Sequence, residues 1–312
     1  MWWVITTSSV GTGSAGALVG VSFAVINSAY GRQSQGTVRF HLLDLLVSQY
    51  GVDMADHTDD LRLAHILADD ADSLTMSRFG ARDLTVSTKP DHSEVTDADL
   101  AVEDSVRRTL SRMRSRDAVH GEERADTGDG PRRWIIDPID GTANFLRGVP
   151  VWATLIALSV EDQIVASVVS APALKRRWWA ARGSGAWSGK SLASATPIHV
   201  SNVRNLADAF LSYSSLHGWV ESGQGRGFGE LMRSVWRTRA FGDFWSYMMV
   251  AEGVVDVACE PELSLHDMAA LDAIVTEAGG KFTGLDGKDG PWSGNALASN
   301  GFLPVSYTHL RA

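Results

Sequence analysis

Two aspartates, Asp137 and Asp140, follow an apolar run at residues 134–136 in the stretch RRWIIDPIDGTANF. We expect a buried strand to end at Asp137, and Pro138 to stiffen the turn because its ring fixes φ and removes an N–H donor. Asp140 then returns to the side of Asp137, where the carbonyl oxygen of Ile139 can also face. Clustered carboxylate and carbonyl oxygens suit Mg²⁺. The alternative is a solvated turn, since Asp-Pro and Asp-Gly are common turn dipeptides.

Gly141 and Thr142 come directly after these acids. They can expose backbone N–H groups at the start of a short helix, and such groups bind anions. The segment therefore predicts an anion site next to a metal site.

Further acids favour a metal site over a plain turn. Glu122 and Glu123 end the preceding strand, which lies beside residues 134–137 if the two strands pair. Asp99 and Asp267 each stand at a predicted helix start. Each acid also has an ordinary structural explanation: a solvated strand end for Glu122 and Glu123, a first-turn acid matching the helix dipole for Asp99, and an N-cap for Asp267.

The spacing of the two aspartates excludes one competing mechanism. Haloacid-dehalogenase-type phosphatases use D-x-D-G-T, in which the first Asp is the nucleophile and both acids lie on one strand face. Here two residues separate the acids, so a regular strand would place them on opposite faces. Metal ligation with a water nucleophile fits this spacing better.

Composition limits the class of protein. The chain has 312 residues, 44% hydrophobic and 21% charged, as expected for a soluble globular protein of one large or two tightly joined domains. A net charge of −9 argues against a nucleic-acid partner, since phosphate neutralisation needs a basic face. The single cysteine, Cys259, excludes an internal disulfide and suits a reducing compartment, so we expect a cytoplasmic protein.

The order of elements predicts an α/β layered sandwich. A helix is expected from Thr58 as N-cap to a stop at Gly80, and a second helix carries Val102 and Val106 on one face. β-rich runs flank a turn at residues 161 and 162, and strands and helices alternate from about residue 195. Strands mixed with helices and then strict alternation indicate two subdomains.

The expected boundaries follow composition. Residues 54–190 form an α+β subdomain with most of the metal ligands, and residues 191–304 form an α/β subdomain with Asp267 and the substrate contacts. Globular patterning begins near Met54, so we expect residues 1–53 to be an extension joined upstream of the true start, and residues 305–312 to be a foreign tail. Residues 1–31 lack charge, but they also lack a basic n-region and are diluted by small and polar residues. We therefore expect no membrane contact; a membrane-anchored phosphatase is the alternative if that segment is a real anchor.

With these residues assembled, the sequence resembles the inositol monophosphatase family of Mg²⁺-dependent phosphatases from about residue 54 to residue 302. The resemblance rests on GEE, WIIDPIDGTANF and HDMAALDAIVTEAGG, in this order and at similar spacings. Within the family, stretches such as FGDFWSYMMVAEGVVD look most like histidinol-phosphate phosphatases of the actinobacterial type. The resemblance implies a layered αβαβα sandwich of the inositol monophosphatase or sugar phosphatase type, and a homodimer. It also implies hydrolysis of histidinol phosphate to histidinol and phosphate, a step of histidine biosynthesis.

The resemblance also implies roles for individual residues. Two or three Mg²⁺ ions per site are expected. The implied metal ligands are Glu122, Asp137, the Ile139 carbonyl, Asp140 and Asp267, with Asp137 bridging. Thr142, hydrogen-bonded to Asp99, would activate the attacking water with help from Glu122. The N–H groups of Gly141 and Thr142 would receive phosphate oxygens.

One residue departs from the family pattern. His266 stands where the family usually has Trp before the last aspartate. We expect the imidazole to pack as the indole does, because nitrogen ligands are less expected in a hard-oxygen Mg²⁺ site. The alternative is an extra donor near the metals.

The cationic part of histidinol phosphate needs acids beyond the metal ligands. Glu260 aligns with a family position that contacts the substrate, and Asp243 lies where many relatives have a small residue. Asn144 could reach the substrate or brace its loop, and Asp243 could be a plain N-cap. An inositol-1-phosphatase or a broad sugar-phosphate phosphatase is the near alternative. A non-catalytic metal- or phosphate-binding regulator is a further alternative, against which the complete set of acids with Thr142 argues.

Overall fold

The computed structural model describes residues 57–90 and 93–303, which belong to one compact unit, Ala55–Ala312. The predicted extension (residues 1–53), the segment considered as an anchor (residues 1–31) and the predicted tail (residues 305–312) lie outside the described residues. Among the residues that the structure describes, no helix combines the length and the apolar character needed to cross a membrane.

The helices and strands of the described residues have the following bounds. The helices are α1 Thr58–Arg78, α2 Asp97–Met113, α3 Thr142–Arg147, α4 Leu216–Glu221, α5 Gly225–Ser234, α6 Asp243–Ala251 and α7 Leu265–Glu277. The strands are β1 Val86–Thr88, β2 Glu94–Thr96, β3 Ala118–Gly121, β4 Arg132–Asp140, β5 Ala153–Val160, β6 Gln163–Ala171, β7 Arg176–Ala181, β8 Ala186–Gly189, β9 Ala195–Ile198, β10 Phe210–Ser212, β11 Arg237–Arg239, β12 Val257–Glu260, β13 Lys281–Thr283 and β14 Ala296–Ser299.

These strands form two large sheets and a hairpin. The seven-stranded sheet has the order β3-β4-β5-β6-β7-β8-β9, and the five-stranded sheet has the order β11-β10-β12-β14-β13. Strand β3 is parallel to β4, whereas β4 to β9 run antiparallel to their neighbours. Strands β1 and β2 form the hairpin. The edge strand β9 lies beyond residue 190, and the subdomain boundary at that residue stays a prediction.

Three apolar clusters define five layers. Helices α1 and α2 pack on one face of the seven-stranded sheet through a cluster that includes Leu67, Val102, Trp134, Ile156 and Val168. Helices α6 and α7 fill the space between the two sheets through a cluster that includes Met248, Ile274, Leu155, Val169 and Ala258. Helices α4 and α5 cover the outer face of the five-stranded sheet with Trp219, Phe228, Leu211 and Val257. The αβαβα sandwich is confirmed.

The helix starts differ from the prediction at one point. Helix α1 has His57 rather than Thr58 at its N-cap, and no side chain caps it. Helix α2 begins with a capping box in which Thr96 and Asp99 bond to each other's backbone N–H groups. Asp99 is therefore fixed at the third position of α2, as its sequence context predicted.

Candidate active site

A β-bulge in β4 turns both aspartates to one side. Strand β4 continues to Asp140 rather than ending at Asp137, and its pairing with β5 shifts between these residues. Asp137 pairs with Leu155 and Asp140 with Ala153, so three steps on β4 match two on β5. One extra residue reverses the alternation of a regular strand. The predicted return of Asp140 to the side of Asp137 is thus produced by this bulge.

Gly141 sits at the junction of β4 and α3 for two physical reasons. Its φ of +89° lies in the left-handed region, and a Cβ there would lie 3.0 Å from the carbonyl oxygen of Val151. It is the N-cap residue of α3, which begins at Thr142. The N–H groups predicted to receive an anion therefore stand at a helix start.

Glu122 reaches the site through the parallel pairing of β3 with β4. Gly121 is opposite Ile136, and the Glu122 N–H donates to the Ile136 carbonyl at 3.2 Å, so the predicted strand pairing is confirmed. The buried carboxylate of Glu103 on α2 accepts from the N–H groups of Glu123 (2.7 Å) and Arg124 (3.1 Å). Sequence reasoning missed Glu103, although a charge beside the apolar stripe of α2 was a visible signal.

Asp267 is brought to the site by the first turn of α7. The N-cap of this helix is Ser264, so the N-cap explanation of Asp267 is wrong. Asp267 occupies the third helical position, where its Oδ2 accepts from the Ser264 N–H at 2.7 Å. One carboxylate oxygen thus completes the capping box and fixes the side chain next to the β4 acids.

The predicted metal-ligating carboxylates converge. Asp137, Asp140 and Asp267 each offer an oxygen within 4.8 Å of the other two, and Glu122, Asp137 and His266 form a second such group. The Ile139 carbonyl accepts the Thr142 hydroxyl at 2.9 Å. Asp137 is 1% exposed, and its Oδ1 has no hydrogen-bond donor among the described residues. An orphaned, buried carboxylate oxygen at the junction of both groups fits a divalent cation.

The electrostatics of the cluster favour a cation. Burial, together with the like charges of Glu122, Asp140 and Asp267, raises the pKa of Asp137 well above its usual value. Burial and the neighbouring Asp243 do the same to the pKa of Asp140. Packed carboxylates of this kind must bind protons or a counter-charge.

A lysine already provides part of that counter-charge. Lys89 Nζ lies 2.5 Å from Glu122 Oε1 and 2.7 Å from Glu123 Oε1. Lys89 follows β1, and sequence reasoning did not select it because its loop gave no chemical pattern. Its ammonium therefore balances part of the negative charge on Glu122 and Glu123.

The hydrogen bond expected between Thr142 and Asp99 is not formed among the described contacts. The Thr142 hydroxyl donates to the Ile139 carbonyl instead, and Asp99 Oδ2 accepts from the Thr96 N–H (2.8 Å) and hydroxyl (2.5 Å). Thr142 and Asp99 Oδ2 thus each bond to a partner three residues away. Asp99 Oδ1 has no hydrogen-bond partner among the described residues, and burial raises the pKa of Asp99 to about 6.

Asp243 lies close to the predicted metal ligands Asp140 and Asp267 and does not cap its helix. Gly242 is the N-cap of α6, and Asp243 follows with a left-handed φ of 48°. Asn144 Nδ2 donates to Asp243 Oδ2 and to the Val151 carbonyl, each at 2.9 Å. Asn144 therefore braces its loop and holds Asp243 in place. Burial, followed by the charge of Asp267, raises the pKa of Asp243 to about 6.

Glu260 ends β12 beside Asp243. It is 8% exposed, and burial raises its pKa to about 8, an effect that nearby Ser214 partly offsets. The Ser214 hydroxyl accepts from the backbone N–H of Asp243 at 2.9 Å. Ser214 thus lies next to both acidic residues, and sequence reasoning missed it; the polar run after β10 was the available signal.

Comparisons with known proteins agree with this geometry. The profile of the inositol monophosphatase family matches residues 57–310. Histidinol-phosphatase of Streptomyces coelicolor is 63% identical over 254 residues, which are 80% of this chain and 96% of that protein. Histidinol-phosphatase of Mycobacterium tuberculosis is 56% identical over 78% of this chain and 95% of that protein.

A solved structure has the same fold. An inositol monophosphatase from Zymomonas mobilis matches with a TM-score of 0.69 at 31% identity, over 79% of this chain and 94% of that one. The fold and the sequence match agree over the same large part of the chain. The protein belongs to the inositol monophosphatase family.

Proposed function

We propose that this protein is a Mg²⁺-dependent phosphomonoesterase that hydrolyses histidinol phosphate to histidinol and phosphate. The observation that carries the proposal is a second group of buried acids next to the cluster of predicted metal ligands. The predicted ligands are Glu122, Asp137, Asp140 and Asp267, and the second group is Asp243 and Glu260, with Ser214 next to both. The similarity to two histidinol-phosphatases supports the same reading.

The first group would hold the metal. Glu122, Asp137 and the Ile139 carbonyl would bind one Mg²⁺, and Asp137, Asp140 and Asp267 a second, because hard oxygen ligands suit this ion. When bound, such ions supply charge that lowers the pKa of water and stabilises the leaving oxygen. A metal ion bound to Glu122 would replace the ion pair between Glu122 and Lys89, so the Lys89 ammonium would have to move away.

The remaining residues of this segment would act on the phosphate and the water. The N–H groups of Gly141 and Thr142 would receive phosphate oxygens, since donors at a helix start favour an anion. The Thr142 hydroxyl would orient the attacking water, and its present bond to Ile139 keeps the side chain near the site. Asp99, whose Oδ1 has no hydrogen-bond partner among the described residues, would accept a proton from the Thr142 hydroxyl. Positioning of this kind is the main demand of phosphoryl transfer.

The second group would select the alcohol. Histidinol carries an ammonium and an imidazole, whereas inositol is neutral and bears hydroxyl groups. Asp243 and Glu260 are largely buried, so a cation placed between them replaces the protons that their raised pKa values favour. A neutral polyol gains no comparable charge pairing.

A phosphate-release assay tests the proposal. Histidinol phosphate, inositol 1-phosphate, fructose 1,6-bisphosphate and adenosine 3′,5′-bisphosphate are compared with Mg²⁺ and with EDTA. The highest kcat/KM is expected for histidinol phosphate, and EDTA should abolish release. A best rate on another ester would replace the substrate assignment, and no Mg²⁺-dependent release from any ester would favour a non-catalytic regulator.

Two further parts of the proposal concern the protein as a whole. The family resemblance supports a homodimer, which light scattering on the purified protein would test; a monomeric mass would overturn it. Cys259 is the single cysteine of the sequence and is a free, buried thiol, so the chain has no internal disulfide. A chain without disulfides suits a cytoplasmic enzyme.

A further inference from the structure

The imidazole of His266 lies in the metal cluster itself. One of its ring nitrogens is within 4.8 Å of a carboxylate oxygen of Glu122 and of Asp137, and these two oxygens are within 4.8 Å of each other. Mg²⁺ and similar ions hold ligands at about 2.1 Å, so opposite ligands of one ion are about 4.2 Å apart. The limit of 4.8 Å on the spacing of these three groups is therefore compatible with ligands around a single ion.

The ring is not committed to another role. Its closest charged neighbour is Asp267, at 3.7 Å from Nε2, which is too long for a hydrogen bond. No hydrogen bond to His266 is found among the described residues. Its side chain is largely buried, with 16% of its surface exposed. The carboxylates of Glu122, Asp137 and Asp267 lie near the ring nitrogens.

A second histidine ring stacks on that of His266. His120 on β3 stacks on His266 with ring centroids 6.2 Å apart and planes at 29°. His120 Nδ1 is 2.8 Å from Asp126 Oδ1, which fixes the orientation of its ring. Residues behind a ligand that limit its rotation are a regular part of metal sites.

We propose that His266 is a metal ligand that joins Glu122 and Asp137 at the first metal position. The inference rests on the proposed metal-dependent function and deepens it. Imidazole suits Zn²⁺, Co²⁺ and Ni²⁺ better than Mg²⁺, whereas carboxylates and water suit Mg²⁺ and Mn²⁺. A mixed nitrogen and oxygen set therefore makes this position more receptive to transition metals than an all-oxygen set.

Electron spin echo spectroscopy of protein-bound Mn²⁺ tests the ligand directly, without substrate. Modulation from a coordinated ¹⁴N is expected in the wild type, and it should change when histidine is labelled with ¹⁵N. The matched variants are His266→Trp, which restores the family residue, and His120→Phe, which removes the ring behind it. The signal should be lost in the first and retained in the second.

Calorimetric titration measures the selectivity of the site between Co²⁺ and Mg²⁺. In His266→Trp, Co²⁺ affinity should fall by about tenfold or more, a loss typical of ligand-shell changes, while Mg²⁺ affinity changes much less. Absence of histidine modulation in the wild type, or its survival in His266→Trp, would overturn the proposal. Labelled wild-type protein tests for a histidine ligand even if the His266 variant does not fold, because a wild type without the signal overturns the proposal. Absence of the nitrogen signal from the wild type, with retained Mg²⁺-dependent phosphate release, would refute the ligand alone and leave the proposed function intact.

Discussion

The backbone N–H of Phe244 donates to Asp140 Oδ2 at 2.7 Å. Asp140 ends β4 in the seven-stranded sheet, and Phe244 lies in the first turn of α6, which packs between the sheets. This bond brings a predicted metal ligand next to Asp243, the residue before Phe244. The position of the predicted cation site relative to Asp243 therefore depends on how α6 is placed.

The charge of Asp140, rather than its hydrogen bond, should be needed for turnover. Asp140→Asn keeps an oxygen that can accept from the Phe244 N–H but removes the charge. We expect phosphate release to fall almost to background and Mg²⁺ binding to weaken. A fall in kcat of less than tenfold, about 1.4 kcal/mol of barrier, would contradict the ligand role.

Asp243 should contribute to substrate choice. In Asp243→Asn, kcat/KM for histidinol phosphate should fall by at least about tenfold, or 1.4 kcal/mol, because the carboxylate that faces the cation is gone. The value for inositol 1-phosphate should change much less. The exposed Asp208→Asn is the matched control. An equal loss on both esters would assign Asp243 to the common phosphate chemistry instead.

Lys89 should compete with the metal. Its ammonium pairs with Glu122 and Glu123, so Lys89→Met should tighten Mg²⁺ binding about three- to tenfold, or about 0.7–1.4 kcal/mol. Calorimetry without substrate measures this, with the exposed Lys190→Met as control. Unchanged or weaker binding in the Lys89 variant would show that the ion pair does not oppose the cation.

Asp272 on α7 should make stability depend on pH. Burial raises the pKa of its carboxyl from 3.8 to about 7. The folded state thus holds a proton that the unfolded state releases, and the stability from this group is full below pH 4 and lost as pH rises through 7. Asp272→Asn mimics the protonated form without titrating.

The stabilising effect of Asp272→Asn should therefore grow with pH. The variant's gain over wild type should be at least about 1 kcal/mol larger at pH 8 than at pH 5, since one pKa unit corresponds to about 1.4 kcal/mol. Urea unfolding of the metal-free proteins measures the difference, with the exposed Asp70→Asn as control. A gain that is constant with pH would rule out the raised pKa.

The sequence predicted those features of the site that depend only on residues adjacent in the chain. Pro138 and Gly141 restrict φ, and this limits the conformations open to the segment that carries Asp137 and Asp140. Helix starts near Asp99 and Asp267 were predictable for the same reason. The bulge was not, because it depends on how β4 pairs with β5.

Long-range contacts decided the remaining features. Ser214 and Asp243 are 29 residues apart and meet only because β10 and α6 are adjacent. Asn144 and Asp243, 99 residues apart, meet across the space between two sheets. Such contacts follow from the packing of whole elements, which no short pattern encodes.

By itself, the sequence predicted the reaction class, since carboxylates, glycine and threonine in this order, together with the resemblance to a known family, indicate a metal site beside a phosphate site. Only the tertiary structure decided which hydrogen-bond and ion-pair partners the site residues have. It turned the Thr142 hydroxyl to Ile139 rather than Asp99, brought Lys89 to Glu122, and placed the His266 ring among carboxylates. The physical reason is that each buried polar group takes a partner that the folded chain brings near. Some of these partners are local, as for Thr142 and Ile139, whereas Lys89 and Glu122 are 33 residues apart in the chain and meet only through folding.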